Sequence, residues 1–195
     1  MKQAKVLNET EMKRLLRVVS TTKHSSRNRL IVMLSFLAGL RACEIAALQV
    51  KDVVTTTNGN WEVKNEALLQ KEQTKGSKAQ TVVLSEKLQQ EIKRYVQQHK
   101  LHTKLNYPLI SSQKCNGFTS QTIQNLFRSF YEAAGIDNAT SHSGRRTFIT
   151  RLSENGVSTR VIQELARHSS MATTQRYIDV SVDKLRTAAD LVNYN

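Results

Sequence analysis

The sequence predicts a mainly α-helical domain with a small antiparallel β-sheet, and three observations carry that reading. Apolar residues recur at helical spacing through most of the chain, as at Met12, Leu15, Leu16 and Val19 and again at Leu88, Ile92, Tyr95 and Val96. Between residues 50 and 84 β-branched residues gather, and Asn58-Gly59 supplies a hairpin turn signal. A single proline and seven glycines in 195 residues leave no obvious flexible linker, so the length suits one compact domain, or one with an appendage.

Taken in order, Asn8 and Glu11 have the spacing of a capping box, with Leu7 and Met12 as its hydrophobic staple, and a helix is expected to run to about residue 20. A second helix, from about 27 to 38, is apolar on most faces (Leu30, Ile31, Met33, Leu34, Phe36, Leu37) and belongs in the centre of the core. Gly39 can end it in the left-handed conformation. A short third helix carries Arg41, Glu44, Ile45 and Leu48. Residues 50–64 read as a hairpin, with strands at 53–57 and 61–63, and 67–73 with 79–84 as a second pairing that turns at 74–78. Together they give one sheet of about three strands. Ser85 caps the next helix, and residues 99–118 are mostly loop. Thr119 opens a helix that turns Ile123, Leu126, Phe127 and Phe130 inward and ends at Gly135. Ser141 or Ser143 starts another, stopped by Gly156. Ser158 caps one holding Val161, Ile162 and Leu165, and Ser170 caps a short one ending near Tyr177. A last amphipathic segment, 182–192, carries Leu185, Ala188, Ala189 and Leu191.

Composition narrows the partner. Lys and Arg total 29 against 16 Asp and Glu, a formal net charge of +13. That surplus favours a polyanion, because every phosphate neutralised releases counterions. An anionic membrane surface competes for the same charge, but no helix sets a clean lysine face opposite Trp and Phe. The hydrophobic fraction of 39% is too high for a disordered chain. Two cysteines, Cys43 and Cys115, do not make a disulfide framework, and a reducing cytoplasm fits them. The apolar run 30–40 is too short to span a bilayer, and no signal peptide is apparent, so a cytoplasmic protein is expected.

The stretch from His142 to Tyr177 concentrates cations around one tyrosine. A phenol ionises near pH ~10 and is a poor nucleophile alone. Set among fixed donors beside a phosphodiester, it can attack phosphorus without a metal. His142 and Arg145 stand three apart at a helix start, which points both side chains the same way. Alone, that spacing is better explained by a solvated surface pair, since it arises often by chance. Arg41 and Glu44 share the spacing. They read either as an exposed ion pair worth ~0.3–0.5 kcal/mol or as a guanidinium held by its carboxylate to clamp a phosphate. Lys75, in the turn Thr74-Lys75-Gly76-Ser77-Lys78, is by default a solvated lysine, though one that could reach into a groove and donate a proton. Among the tyrosines, Tyr95 and Tyr131 lie on apolar faces, Tyr107 in a loop and Tyr194 at the chain end. His99 and His102, with Cys115 further on, have a metal-like spacing that more often goes unliganded.

Read together, Ala38-Gly39-Leu40-Arg41-Ala42-Cys43-Glu44, the Lys75 turn, His142-Ser143-Gly144-Arg145, His168 and Tyr177 resemble the tyrosine recombinase (phage integrase) family over nearly the whole chain. The resemblance implies that family's catalytic-domain fold. Carried over by position, it makes Arg41 and Arg145 ligands of the scissile phosphate's non-bridging oxygens, His142 and His168 hydrogen-bonding and proton-transfer groups, Lys75 the general acid, Tyr177 the nucleophile and Glu44 a support. It further implies double-stranded DNA as partner, a homo-tetramer on DNA with a monomer in isolation, and neither metal nor nucleotide cofactor. The expected function is a site-specific recombinase that integrates or excises a phage or mobile element, in a bacterial cell or phage-infected host. A non-catalytic DNA-binding regulator of the same fold and a type IB topoisomerase are the alternatives.

Three departures from the family pattern stand out. Gly144 occupies a position more often held by Leu, which is expected to loosen packing under Arg145. Arg167 stands where Gly usually precedes the histidine. If the position needs positive φ, a side chain there costs ~1 kcal/mol or more, which a contact to DNA would offset. Finally, the catalytic pattern begins almost at Met1, so residues 1–180 are assigned to the catalytic domain and the N-terminal core-binding domain is expected to be absent, in a fragment or a naturally short member. Residues 181–195 form a C-terminal segment, either a subunit-exchange helix or one packed on its own domain.

Overall fold

The computed structural model describes residues 3–73, 79–112 and 117–178, together with Arg186, Ala189 and Asp190. Its elements run α1 (Glu9–Ser20), α2 (Ser25–Ala38), α3 (Ala42–Ala47), α4 (Val50–Val53), β1 (Val54–Thr57), β2 (Asn60–Val63), β3 (Glu66–Leu69), β4 (Gln80–Val83), α5 (Glu86–Gln98), α6 (Ser120–Ala133), α7 (Ser143–Glu154), α8 (Thr159–Ala166) and α9 (Met171–Gln175). The mainly helical class with small antiparallel pairings is as the sequence predicts. The Asn8–Glu11 capping box forms reciprocally: the Glu11 N–H donates to Asn8 Oδ1 at 2.9 Å and the Asn8 N–H to Glu11 Oε2 at 3.1 Å.

Helix α2 is the hub, packing against α1, α3, α5 and α7. It is apolar nearly all round because every side has a neighbour, and Leu30, Ile31, Val32, Met33 and Leu34 are all buried. Gly39 caps it at φ 60°. A Cβ there would lie 2.7 Å from Phe148 Cδ1, so this corner needs glycine for its space as well as its backbone. The main core spans α1 to α6. A smaller cluster of Ile149, Ile162 and Ala166, flanked by Phe148, Leu152, Val157, Tyr177 and Ile178, underlies the C-terminal part of the described chain.

The structure corrects three sequence expectations and shows which face of one expected helix turns inward. Instead of one three-stranded sheet there are two separate hairpins, β1 with β2 and β3 with β4. Residues 50–53 are a helical turn, because Asp52 reaches back to the Gln49 N–H at 2.8 Å and closes a capping box that β-propensity alone hides. Val161 is 48% exposed, since the inward face of α8 is Ile162, Gln163 and Ala166. Gly144 tightens packing where loosening was expected. A Cβ on it would clash with Ser35 Oγ and lie 2.9 Å from Phe36 Cδ2, so glycine is what lets α7 lie against α2. The turn at 74–78, with Lys75, falls outside the described residues, as do Cys115, Tyr194 and most of 182–192. Arg186, Ala189 and Asp190 are helical and exposed.

Substituting Gly144→Ala should therefore cost roughly 1–3 kcal/mol of stability through overpacking. Urea denaturation measures it, and an unchanged midpoint would show that the α2–α7 contact yields freely.

Candidate active site

The site begins at the corner after α2. Arg41 is the N-cap residue of α3 and Glu44 its third helical residue. The Glu44 carboxylate folds back to accept the Arg41 N–H through Oε2 at 2.9 Å and the Arg41 guanidinium through Oε1 at 2.6 Å. Glu44 is completely buried, while the Arg41 side chain keeps 24% of its surface exposed. A second guanidinium, that of Arg167, donates Nη2 to Glu44 Oε2 at 3.0 Å. The surface ion pair considered from the sequence is thus a buried one, and it has a third member.

Arg145 enters from α7 and is buried. Its Nη1 donates to the Gly39 carbonyl at 2.7 Å and its Nη2 to the Ala166 carbonyl. These carbonyls sit at the C-terminal ends of α2 and α8, where helices leave acceptors unfilled and the helix dipole favours a cation. Arg167 does the same from the other side, donating Nη1 to the carbonyls of Ala38 at 3.3 Å and Leu165 at 3.1 Å. It holds φ 56° and ψ 45° as the C-cap of α8. The left-handed conformation is therefore present, and the side chain that carries it is buried against Glu44 and the α2 corner.

His168 follows directly. Its Nδ1 is 2.9 Å from Thr174 Oγ1, and the Gln163 amide donates to its carbonyl at 3.1 Å, so both backbone and ring are fixed. The Tyr177 ring stacks on the His168 ring, with centroids 5.6 Å apart and planes 23° from parallel. Arg146 places its guanidinium carbon 5.6 Å from the Tyr177 ring centroid. Arg41, Arg167 and His168 line a groove of about 940 Å³ together with Gln80, Thr81 and Val83 of β4.

Burial, then the neighbouring Arg41 and Arg167 charges, lower the Arg145 guanidinium to about 9, so it remains a cation at neutral pH. Burial first, then Arg145, Arg41, Arg167 and Arg176, push the His168 imidazole down to about 4, leaving it neutral. Burial alone would raise the Glu44 carboxyl, but Arg167, the Arg41 N–H, Arg41 and Arg145 outweigh it and hold the group below its ordinary range. Such an array has an excess of positive charge at a groove and suits an anion. A neutral imidazole keeps one ring nitrogen as a hydrogen-bond acceptor.

Of the residues singled out from sequence, Arg41, Glu44, Arg145, His168 and Tyr177 come together here. His142 is the exposed N-cap of α7, with its N–H on Thr140 Oγ1 at 3.2 Å. The shared orientation expected of His142 and Arg145 does not extend to burial, because Arg145 turns into the interior. Lys75 lies outside the described residues. Tyr95 and Tyr131 are buried, and burial raises Tyr95 to about 12 and Tyr131 higher still, which suits core residues; Tyr107 is exposed. His99 bonds Ser26 and His102 stacks on Trp61, and among the described residues no His, Cys, Asp and Glu cluster could hold a metal ion. No described helix is long and apolar enough to cross a membrane. Sequence reasoning missed Thr174, Arg146 and the inward role of Arg167. Only Arg167 left a signal, as a side chain at a positive-φ position.

Glu44→Gln would leave the buried guanidiniums without their counter-charge and should cost about 3–5 kcal/mol, read as a lower urea midpoint. A second test follows from His168. Unfolded, its imidazole titrates near the ordinary 6.5; folded, near 4. Between these values the unfolded chain binds a proton that the folded chain refuses, so stability present above pH 6.5 is lost as pH falls towards 4. Calorimetric melting across that window should show a shallower fall for His168→Gln than for the wild type. Parallel curves would contradict the burial of a neutral imidazole.

Comparison with known proteins agrees with this arrangement. The pattern of the phage integrase family matches residues 5–184. The chain is 32% identical to tyrosine recombinase XerA of Pyrococcus furiosus over 191 residues, 97% of this chain and 62% of that protein. It is 30% identical to tyrosine recombinase XerC of Staphylococcus haemolyticus, over 91% of this chain and 58% of the relative. The chain thus spans about three-fifths of the length of the curated relatives it matches. Among solved structures, a XerA recombinase superposes with a TM-score of 0.75 at 26% identity, covering 100% of this chain and 66% of that one. A XerH recombinase bound to its difH substrate before cleavage gives 0.71 at 24% identity, covering 100% and 56%, and supports the fold alone. By the family match and by identity over nearly its whole length, the chain belongs to the phage integrase family of tyrosine recombinases.

Proposed function

We propose that this chain is the catalytic domain of a site-specific DNA recombinase that cuts and rejoins strands through Tyr177. The observation that carries the reading is the stacking of the Tyr177 ring on His168, which lines a groove together with Arg41, with the buried Arg145 held behind them on the Gly39 and Ala166 carbonyls. Arg41 and Arg145 each have five guanidinium N–H donors, more than their contacts to Glu44, Gly39 and Ala166 use. The remainder suit the non-bridging oxygens of a phosphodiester.

The chemistry balances without an energy source. The Tyr177 oxygen forms a bond to phosphorus as the bond to the 5′ oxygen breaks. The phenol proton passes to the His168 imidazole, and the leaving 5′ oxygen takes a proton from Lys75, with His142 bonding the phosphate. The product is a 3′-phosphotyrosine and a free 5′ hydroxyl. One phosphodiester is exchanged for another, so a second strand's 5′ hydroxyl can reverse the step. The residues assigned to it require neither metal nor nucleotide cofactor. Joining two duplexes in this way takes four cleavages, one per strand, which favours four copies on DNA. Residues 181–195 are the candidate link between neighbours, and integration or excision of a mobile element is the exchange served. The net charge of +13 suits binding that weakens steeply with salt.

The test is covalent capture. Nicked duplexes from a random-sequence pool, whose short fragment carrying the new 5′ hydroxyl diffuses away after cleavage, should yield a denaturant-stable protein–DNA adduct that Tyr177→Phe abolishes. Salt-sensitive DNA retention with no adduct, or an adduct undiminished by Tyr177→Phe, would refute the proposal.

A further inference from the structure

Arg167 combines features that ordinary packing does not ask for. A β-carbon in the left-handed region is strained, by about 1 kcal/mol or more, and Arg167 sits there at φ 56°. Its guanidinium is buried, takes Glu44 Oε2 at 3.0 Å, and braces the Ala38 and Gly39 carbonyls at 3.3 and 3.5 Å. Those contacts fall on the groups that also hold the two arginines of the site: Glu44 binds Arg41, and the Gly39 carbonyl binds Arg145. Arg167 therefore touches both supports at once.

Charge gives this geometry a consequence. Arg41 paired with Glu44 alone is neutral overall, leaving Arg145 as a single uncompensated cation. With Arg167 sharing Glu44, the three guanidiniums joined through Glu44 and the Gly39 carbonyl share one carboxylate, a surplus of two charges within that cluster. A phosphodiester in its ground state carries one negative charge. Attack by a phenol that has given up its proton adds a second on the way to the transition state. A surplus of two matches the transition state better than the ground state, which is the condition for faster chemistry as opposed to tighter binding.

We propose that Arg167 is a positioning residue for strand cleavage: by sharing Glu44 and bracing the Gly39 carbonyl, it frees the Arg41 charge for the phosphate and holds Arg41 and Arg145 towards the groove. This rests on the recombinase reading above. Arg167 acts through Glu44 and the α2 corner, and it also lines the groove beside His168.

Three variants separate charge from backbone. Arg167→Gly relaxes the left-handed position and removes the guanidinium. Arg167→Lys keeps a cation without the fork, and Arg167→Gln keeps hydrogen bonding without charge. The probe is a nicked duplex recovered from the random pool by capture on the wild-type chain, cleaved in single turnover with enzyme in excess. Arg167→Gly should lose cleavage rate on the order of a hundredfold, the scale of one preorganised donor, with its Kd for the duplex nearly unchanged. Arg167→Lys should cleave faster than Arg167→Gly and Arg167→Gln, and guanidinium ion at concentrations too low to denature should restore rate to Arg167→Gly. If the wild type forms adduct and Arg167→Gly cleaves as fast, or faster than Arg167→Lys, this inference falls and the recombinase reading stands. No adduct from the wild type would overturn the reading itself. One measurement needs no DNA: sulfate, against chloride at equal ionic strength, should raise the melting temperature of the wild type more than that of Arg167→Gly. Equal shifts would show that Arg167 adds no charge for an anion to meet.

Discussion

The buried carboxylate of Glu44 is the constraint on which the site depends. An ionised carboxyl with no exposed surface is tolerated only if it is fully paired. Glu44 meets that demand with a backbone N–H from its own helix start, the Arg41 guanidinium three residues back, and the Arg167 guanidinium from the far end of α8. Satisfying one negative charge therefore draws the α2 corner, the start of α3 and the end of α8 to one point. Arg145 completes the join by donating to the terminal carbonyls of both α2 and α8. Repulsion among these cations depresses the Arg145 proton affinity, and burial depresses it more.

The proposed nucleophile is held differently. Tyr177 lies on the small cluster of Ile149, Ile162 and Ala166, with the His168 ring on one side and the Arg146 guanidinium near its face. Ring stacking and cation–π contacts are worth about 0.5–1.5 kcal/mol each, far less than breaking the buried ionic network around Arg41 and Arg145 would cost. The division suits the proposed phosphoryl transfer: the candidate charge-stabilising groups are tied by buried hydrogen bonds, and the candidate nucleophile is held by contacts of modest strength.

How far the sequence revealed this depended on distance along the chain. The Asn8–Glu11 box, the Gly39 corner, the Asn58-Gly59 turn and the amphipathic faces of α5 and α6 are set by neighbours within a few residues, and local reasoning found them. The Gln49–Asp52 box was equally local, but the β-branched residues around it masked it. The splitting of one expected sheet into two hairpins depends on which strand edges meet, and composition does not encode that. Gly144 looked like a loss of packing because its partner, Ser35 on α2, is more than a hundred residues away. The same distance hid the role of Arg167. Its positive φ was foreseeable from sequence, but its partner Glu44 is 123 positions away, so only DNA suggested itself as a contact for the side chain. The candidate site was legible as an ordered set of residue types; its electrostatic support was not.

Anomalous diffraction from crystals soaked in tungstate, a tetrahedral dianion of roughly phosphate shape, tests the central claim most directly. The strongest peak should lie in the groove, within hydrogen-bonding distance of Arg41 and Arg145 and beside His168, with the Tyr177 hydroxyl facing it. Peaks confined to exposed lysines and arginines elsewhere, with the groove empty at saturating tungstate, would show that the cluster around Glu44 is a structural brace and not a phosphate site.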